Sequence, residues 1–258
     1  EPLLVWNSDG TTRHLIDATL VNPQFVVSNY PIPLIPEQLA KLHDFDRASK
    51  FDLAEGYVQV AIHPDSYVHT EFRATKGIMA SKRLLAGQSP AAGEFCRIVK
   101  ENLVDRLEQP YRDETAHYFD DLAHGTIAVD DHAAQVGEIH YDLAFLDACI
   151  AGGHTLRLYK CLFVSSKIKF SGMELVKGMK RPLPERIASI INFGPIDTKK
   201  DINRLVSMGE PWRASIKGFF LYSEPLRVAA RGRGPLAKSQ ELTNSIERFR
   251  TAFASLRR

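Results

Sequence analysis

Ala116-His117-Tyr118-Phe119-Asp120-Asp121-Leu122-Ala123-His124 reads as a tight β-hairpin with two adjacent carboxylates at its tip and Thr126 at its far end. Such a tip is costly for folding, because Asp has poor strand propensity and neighbouring like charges repel. A cation held between the pair and a third carboxylate would remove the repulsion. Lys50-Phe51-Asp52-Leu53-Ala54-Glu55-Gly56-Tyr57-Val58-Gln59-Val60 offers that third carboxylate.

The rest of the chain has room to build a fold around these two segments. Its 258 residues, 44% apolar and 25% charged, can bury a substantial core in one large domain or two to three small ones. No apolar run approaches the ~20 residues of a membrane span, so no membrane association is expected. Glu1-Pro2 carries neither a methionine nor a signal peptide, which reads as a processed or excised piece. Three cysteines (Cys96, Cys149, Cys161) without metal-site spacing suit a reduced, intracellular setting. Net charge is +2, but residues 161–258 hold 19 Lys+Arg against 8 Asp+Glu, and residues 1–160 hold 14 against 23. A basic C-terminal third beside an acidic remainder fits a polyanion clamp next to a metal centre. A solvated basic face explains the charge alone equally well.

Patterning gives the elements. Leu3–Trp6 and Arg13–Asp17 flank an Asn7-Ser8-Asp9-Gly10 turn, a hairpin signal. Prolines keep 31–36 extended before a short helix over 37–42. Residues 51–62 are strand-like at their ends, and Gly56 breaks the alternation. Residues 69–79 form a strand pair around Thr75-Lys76-Gly77. Ser89–Leu107 reads as a helix with Phe95, Ile98, Val99, Leu103 and Leu107 in one stripe. A second helix runs from Asp131 to Ile150, with Val136, Ile139, Leu143, Leu146 and Ile150 on one face and a stop at Gly152-Gly153. Strands are expected at 156–163 and 168–175. Helices follow at 185–192, at 198–208 with Thr198 as N-cap, at 211–222, and at 239–256 after a 232–236 linker. The fold class is therefore α+β: a mainly antiparallel sheet with helices, followed by a small helical, basic module.

In this order the motifs resemble the reverse transcriptase of long-terminal-repeat retrotransposons, nearest the gypsy type and its retroviral relatives, over nearly the whole chain. Asp9-Gly10-Thr11-Thr12-Arg13 through Asp17 resembles the family's D-G-T-x-R-x-x-x-D, and Tyr30-Pro31-Ile32-Pro33 its Y-P-L-P. Phe51-Asp52-Leu53-Ala54-Glu55-Gly56-Tyr57-Val58-Gln59-Val60 resembles L-D-L-x-x-G-Y-x-Q-I. Tyr118-Phe119-Asp120-Asp121 is a Y-x-D-D box, Lys160-Cys161-Leu162-Phe163 matches K-C-x-F, and Phe170-Ser171-Gly172-Met173 matches F-L-G-Y.

The resemblance implies a right-hand polymerase with fingers (1–50 and 65–88), palm (51–64 and 89–175), helical thumb (176–235) and the start of a connection segment (236–258). It implies an RNA- and DNA-directed DNA polymerase that extends a primer with dNTPs on an RNA or DNA template. Nucleotidyl transfer of this kind uses two cations about 3.5–4 Å apart. Hard oxygen donors suit Mg²⁺, with Mn²⁺ as substitute. Asp52 and Asp120 would bridge both ions, Leu53 would give its carbonyl, and Asp121 would sit close behind. Lys160 corresponds to a lysine that protonates the departing pyrophosphate. Arg13, Leu53, Ala54, Glu55, Tyr57 and Gly87 would line the nucleotide site, with Arg13 on phosphate and Tyr57 excluding a 2′-hydroxyl. Gln88, Tyr118 and the primer-grip residues Phe170, Ser171, Gly172 and Met173 would contact nucleic acid. Lys199, Lys200, Arg204, Trp212 and Arg213 would track backbone phosphates. His117 and His124 read as hairpin side chains, and His132 and His140 as helix-surface residues.

The sequence departs from the family in the fingers. Trp6-Asn7-Ser8 replaces P-K-K, Ser81-Lys82-Arg83 replaces apolar residues, and the proline and aromatic before Gly87 are gone. The altered fingers favour a diverged nucleic-acid-binding or scaffold relative, whereas the intact carboxylates favour the polymerase. Tyr57 argues against an RNA-directed RNA polymerase. A ribonuclease H and other polyprotein domains would lie outside this chain, in a cytoplasmic particle or the nucleus.

Overall fold

The computed structural model describes residues 2–6, 12–26, 29–74, 77–232 and 234–257, without the side chains of 2–6, 12–16, Ala74, Ala214 and Arg257. The chain forms two compact units. The first holds Glu1–Ser171 with Leu175–Met179, and the second holds Gly172–Glu174 with Lys180–Arg258.

In the first unit β1 (Pro2–Trp6) and β2 (Thr12–Ile16) pair antiparallel, Pro2 opposite Ile16, as the opening hairpin predicts. The Asn7–Thr11 segment between them lies outside the described residues. Helix α1 is Ile35–Lys41. Strand β3 (Arg47–Asp52) is central, and Gly56–Gln59 follows as the single helical turn α2. The expected strand beyond Leu53 gives way there because Glu55 takes a left-handed φ of 49°. Gly56 then lies against Phe95, where a Cβ would come within 2.5 Å of the ring. Strands β4 (Glu71–Ala74) and β5 (Gly77–Ala80) pair; of their expected turn, Thr75-Lys76 lies outside the described residues.

Helix α3 (Ala91–Asn102) is shorter than expected, and its stripe buries Phe95, Val99, Leu103 and Leu107 as predicted, the last two lying just past its end. A turn of helix α4 (Tyr111–Glu114) leads into β6 (Ala116–Tyr118) and β7 (Asp121–Thr126). Helix α5 spans Asp131–Gly152, and Gly153 at φ 70° caps it. Strand β8 is Leu162–Ser165; a 3₁₀ turn at Leu158–Lys160 replaces the first half of the strand expected there. Strands β6, β7, β3 and β8 form one antiparallel sheet in that order. The core lies between this sheet, α3 and α5: Phe51 stacks on Phe145 at 3.9 Å and meets Tyr141 at 6.1 Å. Gly125 admits Phe45, whose Cβ a Gly125 side chain would approach to 2.6 Å.

Helix α5 overturns one expectation. The stripe Val136, Ile139, Leu143 and Ile150 is exposed and Leu146 half-buried, although such a stripe ordinarily faces the core. The buried face is Ala134, Glu138, Tyr141, Asp142, Phe145, Ala148 and Cys149. The Tyr141 and Phe145 rings pack on Phe51 of the sheet, and Glu138 beside them meets His124 and Thr126 of β7, contacts that the aliphatic stripe could not make.

The strand expected over 168–175 is two strands, β9 (Lys167–Phe170) and β10 (Met173–Val176), parted by Ser171 and Gly172 at φ 45° and 80°. Strand β11 is Met179–Pro182, and the division between the units passes through β10 and β11. The second unit continues with α6 (Pro184–Ile191) and α7 (Lys199–Gly209), the latter with the predicted Thr198 cap: its hydroxyl accepts from the Asp201 amide while Asp201 accepts from the Thr198 amide at 2.8 Å. The helix expected at 211–222 starts only at Phe219, as α8 (Phe219–Ala230), because Gly218 at φ 71° breaks the chain there. Helix α9 (Gln240–Ala254) brings Phe249 and Phe253 onto Gly209, where a Cβ would lie 2.7 and 2.8 Å from them.

Candidate active site

Strand pairing creates the site. The β6–β7 register places Tyr118 opposite Asp121, so Phe119-Asp120 is the two-residue turn, with Phe119 at φ 55°. The β3–β7 register then sets Asp52 directly opposite Asp121. The Leu53 amide donates to the Asp120 carbonyl at 3.3 Å, tying the end of β3 to the turn. Three carboxylates from two distant segments thus meet at one end of the sheet.

Their charge is only partly met. Lys50 Nζ holds Asp121 Oδ1 at 2.9 Å, and the Ser171 amide donates to Asp121 Oδ2 at 3.3 Å. Arg157 approaches Asp52 Oδ1 no closer than 3.7 Å, and that buried oxygen accepts no hydrogen bond. The Asp120 carboxyl is pushed up, by desolvation against the hairpin first and by the like charges of Asp121 and Asp52 next, with Lys50 opposing. Its exposure limits the effect. Among the described residues, no three His, Cys, Asp or Glu side chains already converge on a metal position. The donor chemistry nevertheless fits a hard cation, since these are carboxylate oxygens, one of them buried and unpartnered.

A second layer, not anticipated from the sequence, fixes this end of the sheet. The Gln59 side chain donates to the carbonyls of Ala54 and Thr155 and accepts from the Thr155 amide at 2.8 Å. The Arg157 amide donates to the Asp52 carbonyl at 2.8 Å. Asn22 spans Gly87–Ser89, donating to the Gly87 carbonyl at 3.0 Å and accepting from the Ser89 amide at 2.9 Å. Gln59 was legible as part of the G-Y-V-Q motif. Asn22 was legible as the asparagine of Leu20-Val21-Asn22, which resembles the family's L-N, whereas Lys50 and Arg157 carried no local signal.

The remaining predicted residues fall as follows. Tyr57 is half-buried, with its ring 4.8 Å from Phe95. Leu53 is buried, Ala54 half-buried and Glu55 exposed beside it. Gly87 adopts φ 103° and Gln88 is buried. Lys160 is exposed, 6.0 Å over the Tyr159 ring. Arg13 lies on β2, and its side chain is outside what is described. Phe170 is buried and Ser171 follows it in the first unit. In the second unit Met173 is buried and Gly172 lies under Trp212, where a Cβ would come 3.2 Å from the indole. Trp212 is itself buried, so it packs the core of that unit rather than tracking phosphates as expected. Lys199 donates to the Arg231 and Gly232 carbonyls, Arg204 lies over the Phe193 ring, and Lys200 and Arg213 are exposed.

Of the histidines, His132 and His140 lie on the α5 surface as expected. His117 and His124 are buried. Burial, with Lys41 and Lys100 nearby, pushes the His117 ring down to about 4. His124 stacks on Tyr141 at 3.8 Å and meets Glu138 at 3.0 Å.

No family model matches the chain. It is similar to the retrovirus-related Pol polyprotein of transposon 297 from Drosophila melanogaster, 25% identical over 222 residues, 86% of this chain and 20% of that protein. It also resembles a polyprotein of Cassava vein mosaic virus, 26% identical over 182 residues (70% of this chain, 26% of that one). The transposon Tf2-3 polyprotein of Schizosaccharomyces pombe is 22% identical over 204 residues, 79% of this chain and 15% of that protein. The chain thus spans about a quarter or less of these relatives' length. Among solved structures, the foamy viral protease-reverse transcriptase in complex with double-stranded DNA superposes with a TM-score of 0.77 at 18% identity, over 98% of this chain and 43% of that one. The same enzyme with an RNA/DNA hybrid gives 0.76 at 19% identity, over 97% and 33%. The α+β fold is therefore that of reverse transcriptase structures, and the sequence relatives are polyproteins of retroelements and a virus.

Proposed function

We propose that this chain is the polymerase region of a retroelement reverse transcriptase, a nucleotidyltransferase that extends a primer with dNTPs on an RNA or DNA template. The observation that carries the reading is the register of Asp52 opposite Asp121 with Asp120 in the adjoining turn. A sheet end built for stability alone gains nothing from three carboxylates, one of them raised by burial and then by like charge, and another with a buried oxygen that accepts no hydrogen bond.

Asp52, Asp120, Asp121 and the Leu53 carbonyl would hold divalent cations, with Mg²⁺ as the hard-ligand choice. Bound there, the cations would supply activation of the primer hydroxyl and charge neutralisation on the triphosphate. The chain's own residues prepare this. The Arg157 amide fixes the Asp52 carbonyl, and Gln59 ties the Ala54 carbonyl, two residues on, to Thr155. Lys50 holds Asp121 until a stronger cation competes for it. Phe95 lies against Gly56 and packs on the Tyr57 ring at 4.8 Å, a support that would steady Tyr57 for sensing the sugar of an incoming nucleotide. The exposed Lys200, Arg204 and Arg213 would meet backbone phosphates without sequence preference.

A nucleic-acid-binding or scaffold role is the second reading, favoured by one observation: the Lys50 ammonium already pairs Asp121. Primer extension on an RNA template with dNTPs and Mg²⁺, beside Asp120→Asn, separates the two. Extension by the parent chain and its loss in the variant support the polymerase. Duplex binding without extension, in Mg²⁺ and in Mn²⁺ alike, sinks the polymerase reading and leaves the scaffold.

A further inference from the structure

Helix α5 is apolar on two opposite sides. One side, with Tyr141, Phe145 and Ala148, is buried. The other carries Val136, Ile139, Leu143, Leu146 and Ile150, spaced 3, 4, 3 and 4 residues apart. Four of these are exposed, Ile150 by 78% and Leu143 by 57%, and Leu146 is half-buried. A helix apolar all round is ordinarily covered all round. The 3-4-3-4 spacing is that of an a/d seam, which packs against a second helix by interdigitation at a shallow angle. The seam is ~21 Å long at 1.5 Å per residue.

We propose that this seam pairs with the same seam of a second copy of the chain, α5 against α5, antiparallel about a twofold axis at Leu143. Self-complementarity is what an isologous interface requires, and the seam meets it to within one residue. Reflection about Leu143 sets Val136 opposite Ile150 and brings Ile139 to one residue, ~1.5 Å of rise, out of level with the other copy's Leu146. The flanking polar side chains choose the direction. Exposed His140 and Asp147 lie three before and four after Leu143, on the same side of the seam. In the antiparallel pair each His140 comes within one residue of level with the other copy's Asp147, where a ring N–H can donate to the carboxylate, whereas a parallel pair sets His140 beside Gln135 and offers it no carboxylate. Stable interfaces bury ~1,600 Å² and transient ones under ~1,200 Å². Two heptads sit at the lower end, so the dimer forms with rising concentration rather than being obligate.

The test is sedimentation of the whole chain from low to high micromolar concentration, with Leu143→Glu and the milder Leu143→Gln checked for folding by thermal melts. The parent chain shifts from monomer to dimer, and Leu143→Glu raises the dissociation constant at least ~10-fold. His140→Asp weakens the dimer, and adding Asp147→Lys to it restores association. Under oxidation Leu143→Cys crosslinks to itself. Val136→Cys crosslinks only when mixed with Ile150→Cys. A parent chain that stays monomeric at every concentration overturns the proposal and assigns the seam to a different occupant. A dimer indifferent to Leu143→Glu overturns it too, and efficient self-crosslinking of Val136→Cys overturns the antiparallel pairing.

Discussion

At its start β7 carries Asp121, held by the Lys50 ammonium at 2.9 Å and the Ser171 amide at 3.3 Å, while the facing Asp52 keeps one oxygen without a hydrogen bond. Three residues along the same strand His124 meets Glu138 at 3.0 Å, and Glu138 takes the Thr126 hydroxyl at 2.7 Å, with the His124 and Glu138 side chains almost wholly buried. Both ends bring carboxylates to one sheet. At the first the partners are long cationic side chains near solvent, which another cation can displace at small cost. At the second the partners are packed against Tyr141 and cannot be exchanged without leaving a buried charge unmet. Carboxylates thus sit in a cation-paired cluster near solvent at one end and in a buried strut at the other. The difference lies in burial.

Breaking the strut has the largest expected effect. Glu138→Leu removes the acceptor of both His124 and Thr126 and lowers unfolding free energy by about 3 kcal/mol, read in urea denaturation. An unchanged midpoint would mean the network contributes nothing.

Next comes Asp142, one turn further along α5, whose carboxyl burial raises to about 7, with a Ser49 hydrogen bond opposing. Its folded value lies above its unfolded one, so the native state binds the extra proton between about pH 4 and 7. Stability from this group is therefore present below that window and falls as pH rises through it. Asp142→Asn flattens the fall and raises stability at pH 8 by roughly 2 kcal/mol, with little change at pH 4. Melting curves across that range check the sign. His117, pushed down to about 4, acts oppositely, since its stability is present above the ordinary histidine range and lost as pH drops.

At the exchangeable end the sign reverses. Asp120→Asn relieves like-charge repulsion at an exposed turn, so the fold gains a few tenths to about 1 kcal/mol after solvent screening. Primer extension is lost at the same time. A variant that unfolds would show that Asp120 is structural. The smallest effect is expected from Lys50→Met. It removes the cation that competes for Asp121, and Mg²⁺ titration, followed by protection of the chain against heat, should shift to a lower midpoint by about two- to fivefold. A higher midpoint would make Lys50 a partner of the site rather than a competitor.

Much of this was legible from local pattern. Hairpin register follows from a turn of two residues between β-formers, and so the Asp120-Asp121 tip could be placed on a hairpin. The α3 stripe named its buried face, and Thr198 named its helix start, since capping is decided within four residues. The breaks at Gly218 and Ser171 were missed, because a single residue of positive φ ends an element without altering the surrounding apolar pattern. Trp212 was misread because a basic neighbourhood says nothing about which way an indole packs.

Local pattern alone makes α5 a helix with a 3-4-3-4 apolar seam, separates an acidic remainder from a basic C-terminal third, and sets three carboxylates in an order that resembles that of reverse transcriptases. Periodicity and composition are local quantities, and a chain carries them before it folds. It took the folded arrangement to put the aromatic face of α5, not its aliphatic seam, inside, to bring Lys50 to Asp121 and Arg157 to Asp52, and to tie Ala54 to Thr155 through Gln59. Those choices depend on how well volumes fill the space beneath the sheet and on which groups strand pairing brings across a hundred residues, and neither is written in any one segment.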